Sequence, residues 1–163
     1  MNQQQQQRTA TSSNNNNNTN FLLHFVVLTS IGDTVVYEAS FPDKLQERLQ
    51  LDLEFFVHAS LDTLDLLCRE KPDCFLPALE YADGTNRSVS AYCPIGPYRL
   101  LLVVEPQILK RDDVKSFFVN CNKILADYLR NPMATIHAKI SSQSVKDSLK
   151  QQMERLQRQV VTQ

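Results

Sequence analysis

Residues 21–28, FLLHFVVL, are apolar at every position except His24. So short and apolar a run is typical of a β-strand that is covered on both faces. Residues 98–105, YRLLLVVE, show a similar pattern. Two such strands predict the centre of a sheet that has helices packed on both of its faces.

Less buried strands are predicted beside these two. Residues 34–41, TVVYEASF, follow the turn residues Gly32 and Asp33. In this run the apolar residues Val35, Tyr37, Ala39 and Phe41 alternate with Val36, Glu38 and Ser40. This pattern predicts a hairpin whose second strand lies at the edge of the sheet. Residues 75–82, FLPALEYA, and 88–93, SVSAYC, precede YRLLLVVE and are separated by turn residues. The three runs predict a meander of three strands.

Three helical segments complete the predicted fold. The first covers residues 45–68, and the last covers residues 144–161. Between them, a helix opens near Arg111 with Asp112 as its N-cap, and the dipeptide at 131–132, Asn-Pro, ends it. The order of elements is β-β-α-β-β-β-α-α. We therefore predict an α+β fold, an α/β/α sandwich around a five-stranded antiparallel sheet.

The chain divides into a polar extension and one folded domain. Residues 1–20 contain a glutamine run and an asparagine run, with almost no apolar side chain to bury, so we expect them to be disordered. Residues 21–163 are long enough to bury a core without disulfides or a metal. Because the formal net charge is −1 and the apolar runs are short, we expect neither nucleic-acid binding nor direct membrane insertion.

Metal and cofactor sites are not expected. The four cysteines lie at wide, unequal spacings, without a CxxC pair or a His-x3-His run. They are predicted to be buried or idle thiols of a reducing compartment. The three glycines fall in predicted turns or loops, so no phosphate-binding loop is present. We predict no cofactor and no bound metal.

The first helix carries two apolar stripes when it is projected at about 100° per residue. The side predicted to pack on the sheet gathers Leu49, Leu53, Phe56, Val57, Ser60, Leu64 and Leu67. The other side gathers Leu51, Phe55, Ala59, Asp62 and Leu66, with His58 at its margin. Either the C-terminal helices or the N-terminal extension cover this second stripe, or it is a surface for a partner protein. We favour the partner.

His58 and Asp62 also suggest a catalytic pair, since residues four apart on a helix can touch. With Ser60 or Cys68 they would resemble a Ser–His–Asp arrangement. In the helical projection, however, Ser60 points to the core side, away from His58. An exposed pair that contributes about a few tenths of a kcal/mol explains the two residues better. We predict no enzyme activity.

Four stretches of the chain resemble the sedlin family. Residues 58–65, HASLDTLD, are similar to the family's His-(Ala/Thr)-x-Leu-Asp-x-(Val/Leu)-(Asp/Glu) stretch. Residues 112–118, DDVKSFF, resemble the opening of its second helix. Residues 131–132 match part of its Asn-Pro-Phe corner, and residues 140–142, ISS, resemble its lead into the last helix. The resemblance covers residues 21–156, and the predicted order of elements is also that of longin-like, or SNARE-like, domains.

The chain departs from the family pattern at three places. Met133 replaces the Phe of the Asn-Pro-Phe corner, and Val145-Lys146 replaces the Phe-Asp that usually opens the last helix. Sedlin itself carries an Asn-Pro turn before its second strand, where this chain has Gly32-Asp33-Thr34. These departures favour the sedlin-like paralogue over sedlin itself.

The resemblance implies a non-catalytic adaptor subunit of the transport protein particle (TRAPP). This complex tethers vesicles and is a guanine-nucleotide-exchange assembly for Rab GTPases in ER–Golgi and intra-Golgi traffic. The implied partners are the small longin-like and bet-type core subunits and the larger complex-specific subunits, with a Rab GTPase contacted indirectly. The implied location is the cytoplasm, peripheral at ER–Golgi and Golgi membranes.

The same resemblance suggests which residues bind partners. In the family, the aspartate of the Leu-Asp pair is implicated in subunit contacts, and here it is Asp62. Together with the second stripe, it gives the predicted partner-binding residues Leu51, Phe55, His58, Ala59, Asp62 and Leu66.

Two other classes of protein are alternatives. A stand-alone longin-type regulator would bind a SNARE helix or a small GTPase directly. Such proteins usually continue into a coiled coil or a membrane anchor, and neither pattern precedes Gln163. A small-molecule-binding domain of profilin-like or PAS-like shape needs polar groups that converge in a cavity. No such groups can be argued from these strands.

Overall fold

Eight elements follow one another in the predicted order in the computed structural model, which describes residues 21–70, 75–80, 86–106 and 109–161. The predicted disordered extension, residues 1–20, lies outside the described residues. The elements are β1 (Leu22–Thr29), β2 (Val35–Phe41), α1 (Glu47–Glu70), β3 (Phe75–Glu80), β4 (Ser88–Tyr92), β5 (Tyr98–Glu105), α2 (Arg111–Leu129) and α3 (Gln143–Val161).

The five strands form one antiparallel sheet in the order β2-β1-β5-β4-β3. The apolar strands β1 and β5 lie side by side inside it, with Leu22 opposite Glu105 at one end and Thr29 opposite Tyr98 at the other. Strand β2 lies at an edge. The predicted α+β class, the central pair of strands and the edge hairpin strand are therefore confirmed.

Helices cover both faces of the sheet, and β1 contributes to both layers. All eight residues of β1 are buried. Leu23, Phe25 and Val27 belong to a core formed with α2 and α3. Leu22, Val26 and Leu28 belong to a core formed with α1. Successive side chains of a strand point to opposite faces, so a strand between two helical layers has to be apolar throughout. This confirms the α/β/α sandwich.

Helix α1 packs on its face of the sheet through the stripe predicted for it. Leu53, Ser60 and Leu64 are almost fully buried, and they recur at the spacing of one helical face. The helix begins at Glu47, two residues after the predicted start, and ends at Glu70. At about 1.5 Å per residue, this 24-residue helix is about 36 Å long, and its side away from the sheet extends over the same length.

Helices α2 and α3 pack together on the opposite face of the sheet. The residue that caps α2 is Lys110, whose side chain makes no capping hydrogen bond, so the prediction of Asp112 as the N-cap is wrong. Asp112 instead lies in the first turn, where its charge favours the positive end of the helix dipole. The link to α3 is tied to the sheet edge, because the Ile140 N–H donates to the Val36 carbonyl at 3.0 Å.

Candidate partner-binding surface

The outward side of α1 exposes large apolar side chains. Leu51, Phe55 and Leu66 are 64%, 77% and 63% exposed. His58, Ala59 and Asp62 are also exposed, and helical geometry places them on the same side of α1. We call these residues the α1 stripe: Leu51, Phe55, His58, Ala59, Asp62 and Leu66.

The other helices leave the α1 stripe open. Helices α2 and α3 pack on the opposite face of the sheet, so the alternative in which the C-terminal helices cover the stripe is wrong. The alternative of cover by the N-terminal extension falls outside the described residues. Exposed apolar patches with a polar rim are typical of sites for protein partners.

The α1 stripe has the dimensions of a contact between elements of two proteins. Residues 51–66 span about 22 Å at 1.5 Å per residue. Ala59 lies between Phe55 and Asp62 and carries only a methyl group. A partner backbone can therefore approach α1 more closely at Ala59 than at Phe55, as happens where helices pack with ridges in grooves.

Carboxylates surround the α1 stripe. Asp52, Glu54 and Asp62 are exposed along α1, whereas Arg48 is the one Lys or Arg in residues 47–67. Because charges across an interface are arranged in opposite signs, this rim favours a partner with basic side chains around an apolar centre.

An arginine on β5 ties the C-terminal half of α1 to the sheet. Arg99 Nη1 lies 2.6 Å from Asp65 Oδ1 on α1 and 3.4 Å from Asp33 Oδ1 in the turn between β1 and β2. One guanidinium thus joins three segments that are distant in sequence. This arrangement fixes Leu66, the residue after Asp65, relative to the sheet.

Two exposed apolar side chains at the sheet end near Arg99 were not predicted from the sequence. Ile31 in the β1–β2 turn is 79% exposed, and Ile95 between β4 and β5 is fully exposed. The two loops are adjacent, because the Ser30 N–H donates to the Pro97 carbonyl at 2.7 Å. The available signal was an isoleucine directly next to turn residues, where a polar residue is the usual choice.

The His58–Asp62 pair does not form in the structure. Both residues are exposed, and among the described residues no hydrogen bond or ion pair joins them, so the expected contact is wrong. Ser60 is buried, and its hydroxyl donates to the Val57 carbonyl at 2.7 Å. Its side chain therefore faces the core, as the helical projection predicts.

A groove that sequence analysis also missed runs along the edge strand β2. It encloses about 1100 Å³ between β2, the start of α1 and the C-terminal half of α3. Its lining includes Glu38, Ser40, Phe41, Lys150 and Met153. His24 also lines it, with Nδ1 2.8 Å from Ser40 Oγ, and burial lowers the pKa of His24 to about 4. The signal in the sequence was a histidine inside an otherwise apolar strand.

Neither a cluster of metal ligands nor a helix able to cross a membrane occurs in the described part of the chain. No group of three or more His, Cys, Asp or Glu side chains in that part could hold a metal ion. None of its helices combines the length and the apolar character that crossing a membrane requires.

Fold and family define the class of this protein. A five-stranded antiparallel sheet with one helix on one face and two on the other, in the order β-β-α-β-β-β-α-α, is the architecture of a longin-like domain. The family model described as Sedlin matches residues 28–155, so the chain belongs to the sedlin family. Sedlin-family proteins are non-enzymatic subunits of TRAPP complexes. No curated protein matched the chain.

Proposed function

We propose that this protein is a non-catalytic adaptor subunit of TRAPP, a vesicle-tethering and Rab guanine-nucleotide-exchange complex in ER–Golgi and intra-Golgi traffic. It binds other TRAPP subunits through the α1 stripe, and it reaches ER–Golgi and Golgi membranes only through the complex. The departures at Met133 and Val145-Lys146 favour the sedlin-like branch of the family.

The observation that carries this proposal is the exposure of Leu51, Phe55 and Leu66 on one side of α1. A long helix needs one apolar face to pack on a sheet, and α1 already has that face in Leu53, Phe56 and Leu64. Leaving a second apolar face in water sacrifices the free energy of burying it, about 25 cal/mol per Å². A partner that covers the α1 stripe recovers that free energy.

An adaptor role also fits the chemistry of the α1 stripe. Its ionisable members, His58 and Asp62, are exposed, and neither a hydrogen bond nor an ion pair joins them. A polar group at the margin of an interface, as His58 is here, directs orientation and association rate more than it adds affinity, whereas Asp62 lies among the apolar residues. The apolar residues supply the affinity, with Phe55 as the central anchor that aromatic side chains commonly provide.

The test is co-purification of partner subunits with tagged full-length chains. Asp62→Tyr, and Phe55→Asp combined with Leu66→Asp, are expected to lose TRAPP subunits while keeping the melting temperature of the unmodified protein. Val119→Asp is the matched control, because Val119 is an exposed apolar residue on α2, at the opposite face of the sheet. Retention of every partner by both α1 variants would contradict the assignment of the surface.

Native mass spectrometry of the endogenous protein separates this proposal from the alternative. A particle with several small longin-like and bet-type chains supports the adaptor subunit. A lone chain, or a binary complex with a SNARE or a small GTPase, would instead indicate a stand-alone longin-type regulator.

A further inference from the structure

Among the described residues, some backbone hydrogen-bonding groups of the edge strand β2 have no backbone partner. The Thr29 N–H donates to Thr34, on the β2 side, at 2.9 Å, and the Ser30 N–H donates to Pro97, on the β5 side, at 2.7 Å. Both backbone groups of a strand residue point to the same side, and the side alternates along the strand. The odd-numbered residues of β1 therefore direct their backbone N–H and C=O groups toward β2. Val27 and Phe25 thus form hydrogen-bonded pairs with the β2 residues opposite them.

The β2 residues opposite Val27 and Phe25 determine which backbone groups of β2 point away from β1. Tyr37 and Ala39 stand opposite Val27 and Phe25 and direct their backbone groups to β1. Glu38 and Ser40 direct theirs away from the sheet. In the described ranges, no backbone group pairs with the outward N–H and C=O groups of these two residues.

The free part of the edge is short and has two defined ends. At one end, the Val36 carbonyl accepts the Ile140 N–H at 3.0 Å, so the chain itself already pairs with the edge there. At the other end, β2 is followed by Pro42, which has no N–H to offer. The open stretch between these two ends has the length of one short strand.

The groove around this edge has two walls of different character. On the α3 side, Tyr37, Ala39 and Phe41 pack with the core that contains Met153. On the α1 side, Ser40 bonds to His24, and Glu38 is exposed with no cation at ion-pair distance among the described residues. Two cations also line the groove: Lys150 lies 3.1 Å from Asp43, and Arg158 lies 4.0 Å from Glu154.

We propose that the β2 edge binds an extended segment of a partner protein, which adds a strand beside Glu38 and Ser40. The segment places apolar side chains toward Phe41 and Met153 and a basic side chain toward Glu38. Such strand addition takes its affinity from backbone hydrogen bonds and its specificity from alternate side chains. The site is separate from the α1 stripe and does not depend on the function proposed for it.

The test uses the full-length, isotope-labelled chain and an acetylated, amidated octapeptide that alternates valine and lysine. NMR titration is expected to shift the backbone amides of Glu38 and Ser40 most strongly. The controls are two versions of this peptide, one with N-methyl groups on its odd-numbered residues and one with N-methyl groups on its even-numbered residues. One of the two loses the N–H groups that face β2. Since each lost hydrogen bond weakens binding by up to about tenfold, at least one methylated version should bind roughly tenfold more weakly or not at all.

A pair of variants at one position tests the edge itself. Glu38→Pro removes the outward N–H without touching the ladder to β1, and edge strands tolerate proline. Glu38→Ala keeps that N–H and removes only the carboxylate. The proline variant is expected to bind the peptide roughly tenfold more weakly than the alanine variant. If the proline variant does not fold, the methylated peptides decide the question alone.

Four outcomes would overturn the proposal. The first is the absence of shifts at Glu38 and Ser40, and the second is equal binding of the methylated peptides. The third is hydrogen-exchange protection of these two amides in the free chain that disappears when residues 1–20 are deleted, which would make the chain's own N-terminus the occupant. The fourth is protection that rises with protein concentration, which would indicate a second copy of the chain.

Discussion

The guanidinium of Arg99 lies 2.6 Å from the carboxylate of Asp65. This ion pair links helix α1 to β5, the middle strand of the sheet. Arg99 is also 3.4 Å from Asp33, in the turn after β1. The contacts tie the stretch of α1 that contains Leu66 to the end of the sheet that carries Ile31. The apolar residues of that region are thereby held in one fixed arrangement.

We expect the Arg99–Asp65 pair to contribute about 0.5 to 1 kcal/mol to the free energy of unfolding, because both side chains are partly exposed. A double-mutant cycle with Arg99→Met and Asp65→Asn, followed by urea denaturation, measures this coupling. The coupling should decrease between 0.05 and roughly 1 M NaCl, because salt screens exposed charges. A coupling that is zero at low salt would contradict the pairing.

Truncation of two neighbouring phenylalanines of α1 should change the free energy of unfolding by very different amounts. Phe55→Ala is expected to change the free energy of unfolding by less than about 0.5 kcal/mol, because the ring is exposed. Phe56→Ala should cost about 3 to 5 kcal/mol, because its ring is buried against the sheet. Chemical denaturation of both variants checks this contrast. A large loss for Phe55→Ala would show that part of the chain covers the α1 stripe.

Stability should fall in acid through His24. Burial lowers its pKa from 6.5 to about 4, so the unfolded chain binds more protons between these two values. The contribution of His24 is complete above pH 6.5 and is lost as the pH falls toward 4. We expect a loss of about 2 to 3 kcal/mol between pH 7 and 4.5.

Two variants isolate the His24 effect from the titration of carboxylates. His24→Gln removes the ionisable ring, and its unfolding free energy should decline less steeply over this pH range. Ser40→Ala removes only the hydroxyl at 2.8 Å from the ring, and its curve should keep the slope of the unmodified protein. Parallel curves for His24→Gln and the unmodified protein would rule out the buried neutral histidine.

Cys121 should resist alkylation in the folded protein. Its side chain is fully buried in the core between the sheet and α2, and burial raises the pKa of its thiol above the usual range. The thiolate is the reactive form, so iodoacetamide reaches it only after the chain opens. Peptide mapping by mass spectrometry should show labelling at least about a thousandfold slower than in urea. Equal rates would contradict the burial of Cys121.

Sequence patterns predicted the features that depend on local periodicity. The apolar runs placed β1 and β5 at the centre of the sheet, because a strand covered on both faces has no polar alternation. Helical projection separated Phe56 and Leu64, which are buried, from Phe55 and Leu66, which are exposed. The three- and four-residue spacing contains this information.

Features that depend on pairing between distant segments could not be predicted. Arg99 meets Asp33 and Asp65 only after the sheet has formed and α1 has packed on it. The groove beside β2 depends on where α3 lies relative to the edge, and no periodicity within α3 specifies that position. The N-cap of α2 was predicted at Asp112 because aspartate is a common N-cap residue, whereas the cap is Lys110, two residues earlier.

The position of β1 has a consequence for how the chain acquires its structure. Strand β1 is synthesised first in the domain, yet one of its two neighbours is β5, with Leu22 opposite Glu105. At 5 to 20 residues per second, β5 leaves the ribosome on the order of ten seconds later. Until then the most apolar strand of the domain keeps one edge unpaired. Strand pairing across such sequence distances forms slowly, so the unpaired edge of β1 is open to aggregation during that interval.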